Sequence, residues 1–372
     1  MDKVLIIGGG IIGLSIAHEL KKNCIKNITI LERGEIGKES SYAAGGMLAV
    51  HSETDKFDDF FYFCRESLNL YSDFSELLFE ETGVDIELDK AGTLYLAFDE
   101  HDVKEIRERF EWKKKAGLEV EKLSAIEVHK LEPFVSSDVL EGLFFPNDWQ
   151  VENRKLIHAL QTYCKLNGVE IVENTEAIKL LSEKGRVFGV ETNRQKFLAD
   201  AVILATGAWT SLIKTDNLAL PIVKPIRGQM VAFQTAKRLF SKVIYSPRGY
   251  LVPRRDGRIL AGSTSEDVGF DKSVTELGLE VIREKALEIA PGLVNLEISE
   301  SWAGLRPYAF DSLPFLGEIA ENLLVATAHY RNGILLAPAT AKIIAEKVVN
   351  NKDSRYFETF NPNRLRTSKV GQ

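Results

Sequence analysis

The stretch Val4-Leu5-Ile6-Ile7-Gly8-Gly9-Gly10-Ile11-Ile12-Gly13 constrains this chain more than any other. Four consecutive apolar residues suit a short strand buried on both faces. They run into a G-x-G-x-x-G turn, after which Leu14, Ala17 and Leu20 share one helical face. Ile28-Thr29-Ile30-Leu31 reads as a second strand that ends at Glu32. Strand, glycine turn, helix, strand and acid, in that order, make a dinucleotide-binding unit. Gly8 permits the tight turn, Gly10 lets backbone approach a pyrophosphate, and Gly13 lets the helix pack closely on the strand. The first N–H groups of the helix, near Ile11 and Ile12, and its positive dipole end favour phosphate. Glu32, nineteen positions past Gly13, stands where a carboxylate takes the hydroxyls of an adenosine ribose. An acid there disfavours NADP and does not separate NAD from FAD.

The chain has 372 residues, enough for two domains with a substantial core. A net charge of −7 gives no general attraction to nucleic acid or to an anionic membrane. Apolar runs are too short to span a bilayer. The first strand begins at once, without the features of a signal peptide, so a cytoplasmic location is expected. Cys24, Cys64 and Cys164 are far apart and have no metal-ligand spacing, so no metal site is expected, and the thiols read as reduced and packed.

Downstream, Gly34 to Leu48 is rich in small residues and hydroxyls, as for a segment passing close to a large ligand, with Ser40 and Ser41 able to donate to phosphate. The spacing predicts helices over 58–82, 100–116, 153–166, 275–290 and 334–349. Ile86-Glu87-Leu88, Gly92 to Phe98, Leu140 to Pro146, Ile222 to Phe233 and Val243 to Gly262 read as strands of a second sheet. Ala201-Val202-Ile203-Leu204 is a buried strand ending at Ala205-Thr206-Gly207, where backbone approaches something at the sheet's carboxyl edge. The expected fold class is α/β, α+β overall: a discontinuous Rossmann-like domain (1–85, 148–220, 300–372), interrupted as is common in flavoproteins and unusual in NAD dehydrogenases and so expected to be FAD-binding, and a mostly antiparallel substrate domain (86–147, 221–299). The polar tail after Pro362 is expected to fray.

Four stretches make the sequence recognisable: the glycine turn, Ser41-Tyr42-Ala43-Ala44-Gly45-Gly46-Met47-Leu48, Trp302-Ala303-Gly304-Leu305-Arg306-Pro307, and His329-Tyr330-Arg331-Asn332-Gly333-Ile334-Leu335-Leu336-Ala337-Pro338-Ala339-Thr340. Nearly the whole chain resembles the D-amino acid oxidase and glycine oxidase family of FAD enzymes, and the last two blocks are most similar to glycine oxidases of the thiamine-biosynthesis type. The resemblance implies non-covalent FAD, since no cysteine follows Cys164 to carry a covalent flavin. It implies that Arg306 holds the substrate carboxylate, Tyr250 supports it, and Arg331 lies near both flavin and substrate. It implies cofactor contacts at Gly8, Gly10, Ile11, Ile12, Gly13, Glu32, Arg33, Ser40, Ser41, Gly45, Gly46, Met47, Ala177, Thr206 and Gly207. A last set of contacts comes from His329, Tyr330, Arg331, Asn332, Gly333, Ile334 and Leu335. The implied reaction is oxidative deamination of glycine, sarcosine or small D-amino acids, with O2 as acceptor, by a homo-oligomer such as a tetramer. A D-amino acid dehydrogenase, a sarcosine-type oxidase and a non-catalytic flavin- or NAD-binding module remain the alternatives.

Overall fold

The computed structural model describes residues 2–365. Its first layer is a six-stranded sheet in the order Phe315–Ala320, Leu323–Thr327, Ala201–Leu204, Lys3–Ile7, Asn27–Leu31, Glu170–Val172. All pairs are parallel except the Phe315–Ala320 hairpin edge. The near-continuous apolar strands follow from burial on both faces. Val4 and Ile6 face a core shared with the helices Ile11–Lys22, Asp59–Thr82, Asn153–Leu166 and Gly333–Asn350. Leu5 and Ile7, one residue out of phase, face a second core with the three-stranded sheet Ala177–Glu183, Arg186–Thr192 and Lys196–Leu198.

The second layer is an eight-stranded sheet in the order Ile298–Tyr308, Lys224–Gln234, Arg258–Gly262, Gly249–Pro253, Val243–Ser246, Thr93–Ala97, Glu141–Phe145, Glu121–Ser124. It is antiparallel except where Val243–Ser246 runs parallel to Thr93–Ala97. Strand alternation again separates two faces. Val231, Phe233, Ile244 and Leu251 pack under the helix Glu276–Ile289. Met230, Ala232, Tyr250 and Val252 form the other face.

Two sequence expectations change here. Ile86-Glu87-Leu88 is not a strand: Glu87 takes φ 55° and its N–H donates to Asp85 Oδ1 at 2.8 Å, a local turn that breaks the extended run. The strand Ile298–Tyr308, expected from residue 300 onward to belong with the nucleotide-binding sheet, instead pairs along its length with Lys224–Gln234 in the eight-stranded sheet. Its last residues therefore carry Arg306 into the space between the layers. Arg364 bridges Asp311 through two contacts of 2.7 and 2.9 Å, which ties the start of the expected frayed tail back to the fold; residues 366–372 of that tail lie outside the described residues. No helix among the described residues is long and apolar enough to cross a membrane.

Candidate active site

A cavity of about 350 Å³ lies between the carboxyl ends of the parallel strands and one face of the eight-stranded sheet. At one end is the glycine turn. Gly8 has φ 106°, and a Cβ there would lie 2.3 Å from the Ala205 carbonyl, so only glycine lets the first strand turn beside its neighbour. The helix beginning at Ile11 has Gly10 as its N-cap and no side-chain cap, so its dipole end faces the cavity. Ser41 lies over this end, its Oγ accepting from Ile11 N at 2.9 Å while its own hydroxyl proton stays available. Ser40 lines the cavity but its hydroxyl donates to the Leu305 carbonyl, so it joins the cofactor loop to the Arg306 strand rather than offering a proton to phosphate.

Glu32 is buried, accepting from Gly9 N at 2.8 Å through one carboxylate oxygen and from Gly34 N at 3.0 Å through the other. Each oxygen keeps a lone pair for a ribose hydroxyl. Arg33 stacks 3.8 Å from the Trp209 ring and pairs with Glu39 at 2.5 Å. With Ala177, Thr206 and Gly207 these residues wall the glycine-turn end of the cavity.

At the other end the helix Gly333–Asn350 also starts without a side-chain cap, at Asn332. His329, Tyr330, Arg331, Asn332, Gly333 and Ile334 all line the cavity there. Pro338 inside this helix has no N–H for the Ile334 carbonyl. The Tyr71 hydroxyl, from the helix Asp59–Thr82, donates to that carbonyl instead. One position on, Ser67 Oγ donates to Leu335 O at 2.6 Å and accepts from Ala339 N at 3.2 Å, bridging an opened rung. The helix start is thereby fixed to its neighbour through two hydroxyls. The His329 side chain is buried, its Nε2 3.0 Å from Thr340 Oγ1, and burial lowers its pKa to about 3, which favours the neutral ring.

Two of the expected cofactor contacts lie off the cavity wall. A Cβ at Gly13 would sit 2.0 Å from the Gly8 carbonyl, so this glycine serves helix–strand packing. Leu335 points into the core, where its carbonyl meets Ser67.

On the sheet side the cavity is lined by Gly45, Gly46, Met47, Met230, Tyr250, Gly228 and Arg306. Arg306 Nη2 donates to Ser263 Oγ at 2.6 Å and Nη1 to the Thr264 carbonyl at 3.1 Å, neither of them an anion. Gly228, on the adjacent strand, makes this pose possible, since a Cβ there would lie 2.2–2.4 Å from the guanidinium. Arg254 is buried and donates to Gly45 O at 2.8 Å and Val151 O at 2.7 Å, holding the cofactor loop against the second sheet. Arg331 sits 3.6 Å from Glu53 and donates to Tyr245 Oη at 3.4 Å. Burial raises the Glu53 carboxyl above its ordinary range, and Arg331 opposes that shift. Glu53, Tyr245, Gly228 and Ser263 escaped the sequence reading. Only Gly228, a glycine interior to a strand, carried a readable sign of close approach.

The glycine turn, the buried Glu32 carboxylate and two helix N-termini whose N-cap residues make no side-chain bond, all at one cavity, suit a dinucleotide carrying pyrophosphate at one end and a reducible ring at the other. Residues 3–347 match the family model described as FAD dependent oxidoreductase. The chain belongs to that FAD-dependent oxidoreductase family. The flavoenzyme is 34% identical over 365 residues to a glycine oxidase of Bacillus licheniformis, covering 97% of this chain and 96% of the relative. It is 36% identical over 372 residues to the bifunctional protein ThiO/ThiG of a Synechocystis strain, covering 98% of this chain and 54% of that relative, so it spans about half the length of such curated relatives. Among solved structures, glycine oxidase from Geobacillus kaustophilus superposes with a TM-score of 0.92 at 32% identity, covering 97% of this chain and 98% of that one.

Proposed function

We propose that this flavoenzyme oxidises glycine, and with it sarcosine or small D-amino acids, to an imine. Water then releases glyoxylate and ammonia from the glycine imine, and O2 takes the electrons to give H2O2. The observation that carries this reading is Arg306: a guanidinium facing the cavity, held by a hydroxyl and a carbonyl, and hence offering its remaining donors to an incoming anion. A carboxylate is common to every candidate substrate. Tyr250, beside Met230 and Gly262 on the same wall, supports that anion with its hydroxyl. FAD, when bound, supplies the acceptor for the two electrons and hydrogen lost from the substrate Cα. Glu32, Ser41 and the Ile11 helix end would hold its ADP half, and the Gly333 helix end would favour negative charge at the ring. The protein's own part is to fix the amino acid by its carboxylate, present its Cα, and keep the cavity dry. Likeness to the glycine oxidase and ThiO relatives supports placing the imine in the making of the thiazole of thiamine.

The test is a product assay on the purified yellow protein with glycine, sarcosine and small D-amino acids, counting glyoxylate or its analogue against H2O2. Equal yields from glycine support the reading; product formed only with an added quinone replaces O2 as acceptor. Arg306→Lys keeps the charge and loses the planar fork, so glycine KM should rise on the order of thirtyfold with FAD retained. A lysine variant with an unaltered KM would remove Arg306 from the substrate site.

A further inference from the structure

Two of the guanidiniums that line the cavity, Arg306 and Arg331, stand within reach of one acid: Glu53 lies beside Arg331, and its charge is also felt by Arg306. Arg306 is bonded to a hydroxyl and a carbonyl. Arg331 has Glu53 at 3.6 Å, and both line the same cavity. Glu53 is not there by accident of a mobile loop. It ends the short helix Val50–Glu53, and that turn is held from several sides. The buried Asp148 carboxylate accepts from His51 N at 2.7 Å and Ser52 N at 2.8 Å. Arg109 donates to the Ser52 carbonyl at 2.7 Å, and the buried Lys113 donates to the Thr54 carbonyl at 2.7 Å. The scaffold therefore spends several buried polar groups on presenting one acid to the cavity.

We infer that Glu53 determines substrate charge: by occupying Arg331, it confines the site to amino acids with a single carboxylate and turns away those bearing a second anionic group. The inference rests on the reading of Arg306 as the carboxylate anchor. A second carboxylate reaching Arg331 would have to approach the Glu53 carboxylate as well, and like charges a few ångströms apart repel. Without the Glu53 charge, Arg331 would present its planar fork as a second anion clamp on the same cavity. The ligand class that would then enter is an amino acid with two carboxylates, attached through nitrogen or through the side chain.

The experiment uses the FAD-loaded enzyme and compares the unaltered protein, Glu53→Gln and Glu53→Asp. Turnover is measured with glycine against iminodiacetate and D-aspartate. The ratio of kcat/KM for the dicarboxylates to that for glycine should rise at least about tenfold in Glu53→Gln, the worth of one charge-assisted hydrogen bond. The change should fall in the dicarboxylate KM. Glu53→Asp keeps the charge and should keep the original ratio. A purely structural role lowers all rates together and leaves the ratio unmoved. Binding without turnover is read by titrating the flavin absorbance with acetate and with malonate; malonate should gain over acetate in Glu53→Gln by a similar factor. Unmoved selectivity in both measurements overturns the inference. If the unaltered enzyme oxidises none of these amino acids, the proposed reaction falls, and the malonate-to-acetate ratio still decides what Glu53 does.

Discussion

Gly228→Ala separates the anchoring of Arg306 from the folding of the sheet that carries it. The alanine Cβ would lie 2.2 Å from Nη2 and 2.3 Å from Nη1 of Arg306, far inside contact distance. What stands in the way is the end of a flexible side chain, not backbone, so the guanidinium swings aside and the strand stays paired. Gly228 lies opposite Gly304 in a stretch of antiparallel ladder that keeps its register from Lys224 to Ala232, which leaves the sheet little reason to distort there. The displaced guanidinium gives up Ser263 Oγ at 2.6 Å and the Thr264 carbonyl at 3.1 Å. It also gives up the direction in which its free donors meet a carboxylate. Losing one charge-assisted hydrogen bond to substrate costs about 1.5–3 kcal/mol, a fall of about 10- to 150-fold in kcat/KM. The assay is steady-state H2O2 formation against glycine, with inhibition by acetate, FAD content and melting temperature measured on the same preparation. The expected result is a raised KM, weakened acetate inhibition, full FAD and a small change in melting temperature. A normal KM in a folded, flavin-loaded variant would refute the reasoning, because the clamp would then work without its pose.

Glu32→Gln leaves one acceptor oxygen where two N–H groups, of Gly9 and Gly34, now converge. An orphaned buried N–H costs about 1–3 kcal/mol, so urea unfolding of the FAD-free protein should shift to lower urea, and FAD titration should show weaker binding besides. Tyr71→Phe removes the donor to the Ile334 carbonyl that Pro338 cannot serve; the melting temperature should fall, and FAD should dissociate faster on dilution. For pH, burial lowers both His18 and His329 to about 3, with Lys22 adding to the shift at His18. The unfolded chain binds protons near the ordinary histidine value of about 6.5. Their contribution is therefore complete above about pH 6.5 and is lost as pH falls toward 3. Each histidine adds about 1.4 kcal/mol per pH unit to the slope, so His329→Asn should flatten the dependence of the urea midpoint on pH between about 7 and 5; an unchanged slope would mean that His329 is not enclosed as described.

The local parts of this molecule were readable where one short stretch fixes its own geometry. Gly8 to Glu32 declared a turn, a helix and a buried acid at the end of the second strand because each depends on residues a few positions apart. The helices 58–82 and 153–166 were legible for the same reason, with Asp58 and Gly83 serving as real caps. Pairings between distant segments were not. Arg306 was expected on the nucleotide-binding side, but its strand belongs to the other sheet, and only the register with Lys224–Gln234 reveals that. Glu53 was hidden because His51-Ser52-Glu53 resembles any polar turn until Asp148, nearly a hundred residues later, fixes it. Tyr245 and Ser263 gain meaning only from the arginines placed against them. Ser40 lines the cavity, but its hydroxyl is directed to the Leu305 carbonyl rather than left free for a phosphate, and nothing in its sequence neighbourhood announces that carbonyl.

The Arg306 strand does not end freely. The Pro307 carbonyl accepts from Tyr330 N at 3.1 Å, so main chain from one layer is joined to main chain from the other between the two arginines. That bond uses no side chain, and residue substitutions on either side of it leave both of its groups in place. On the proposed reading of Arg306, this bond ties the carboxylate anchor to the segment that leads into the helix Gly333–Asn350. If Glu53 sets selectivity as inferred, it could be exchanged to admit a different amino acid while this main-chain tie, which it does not make, stays in place. Selectivity and reach are thereby free to evolve separately.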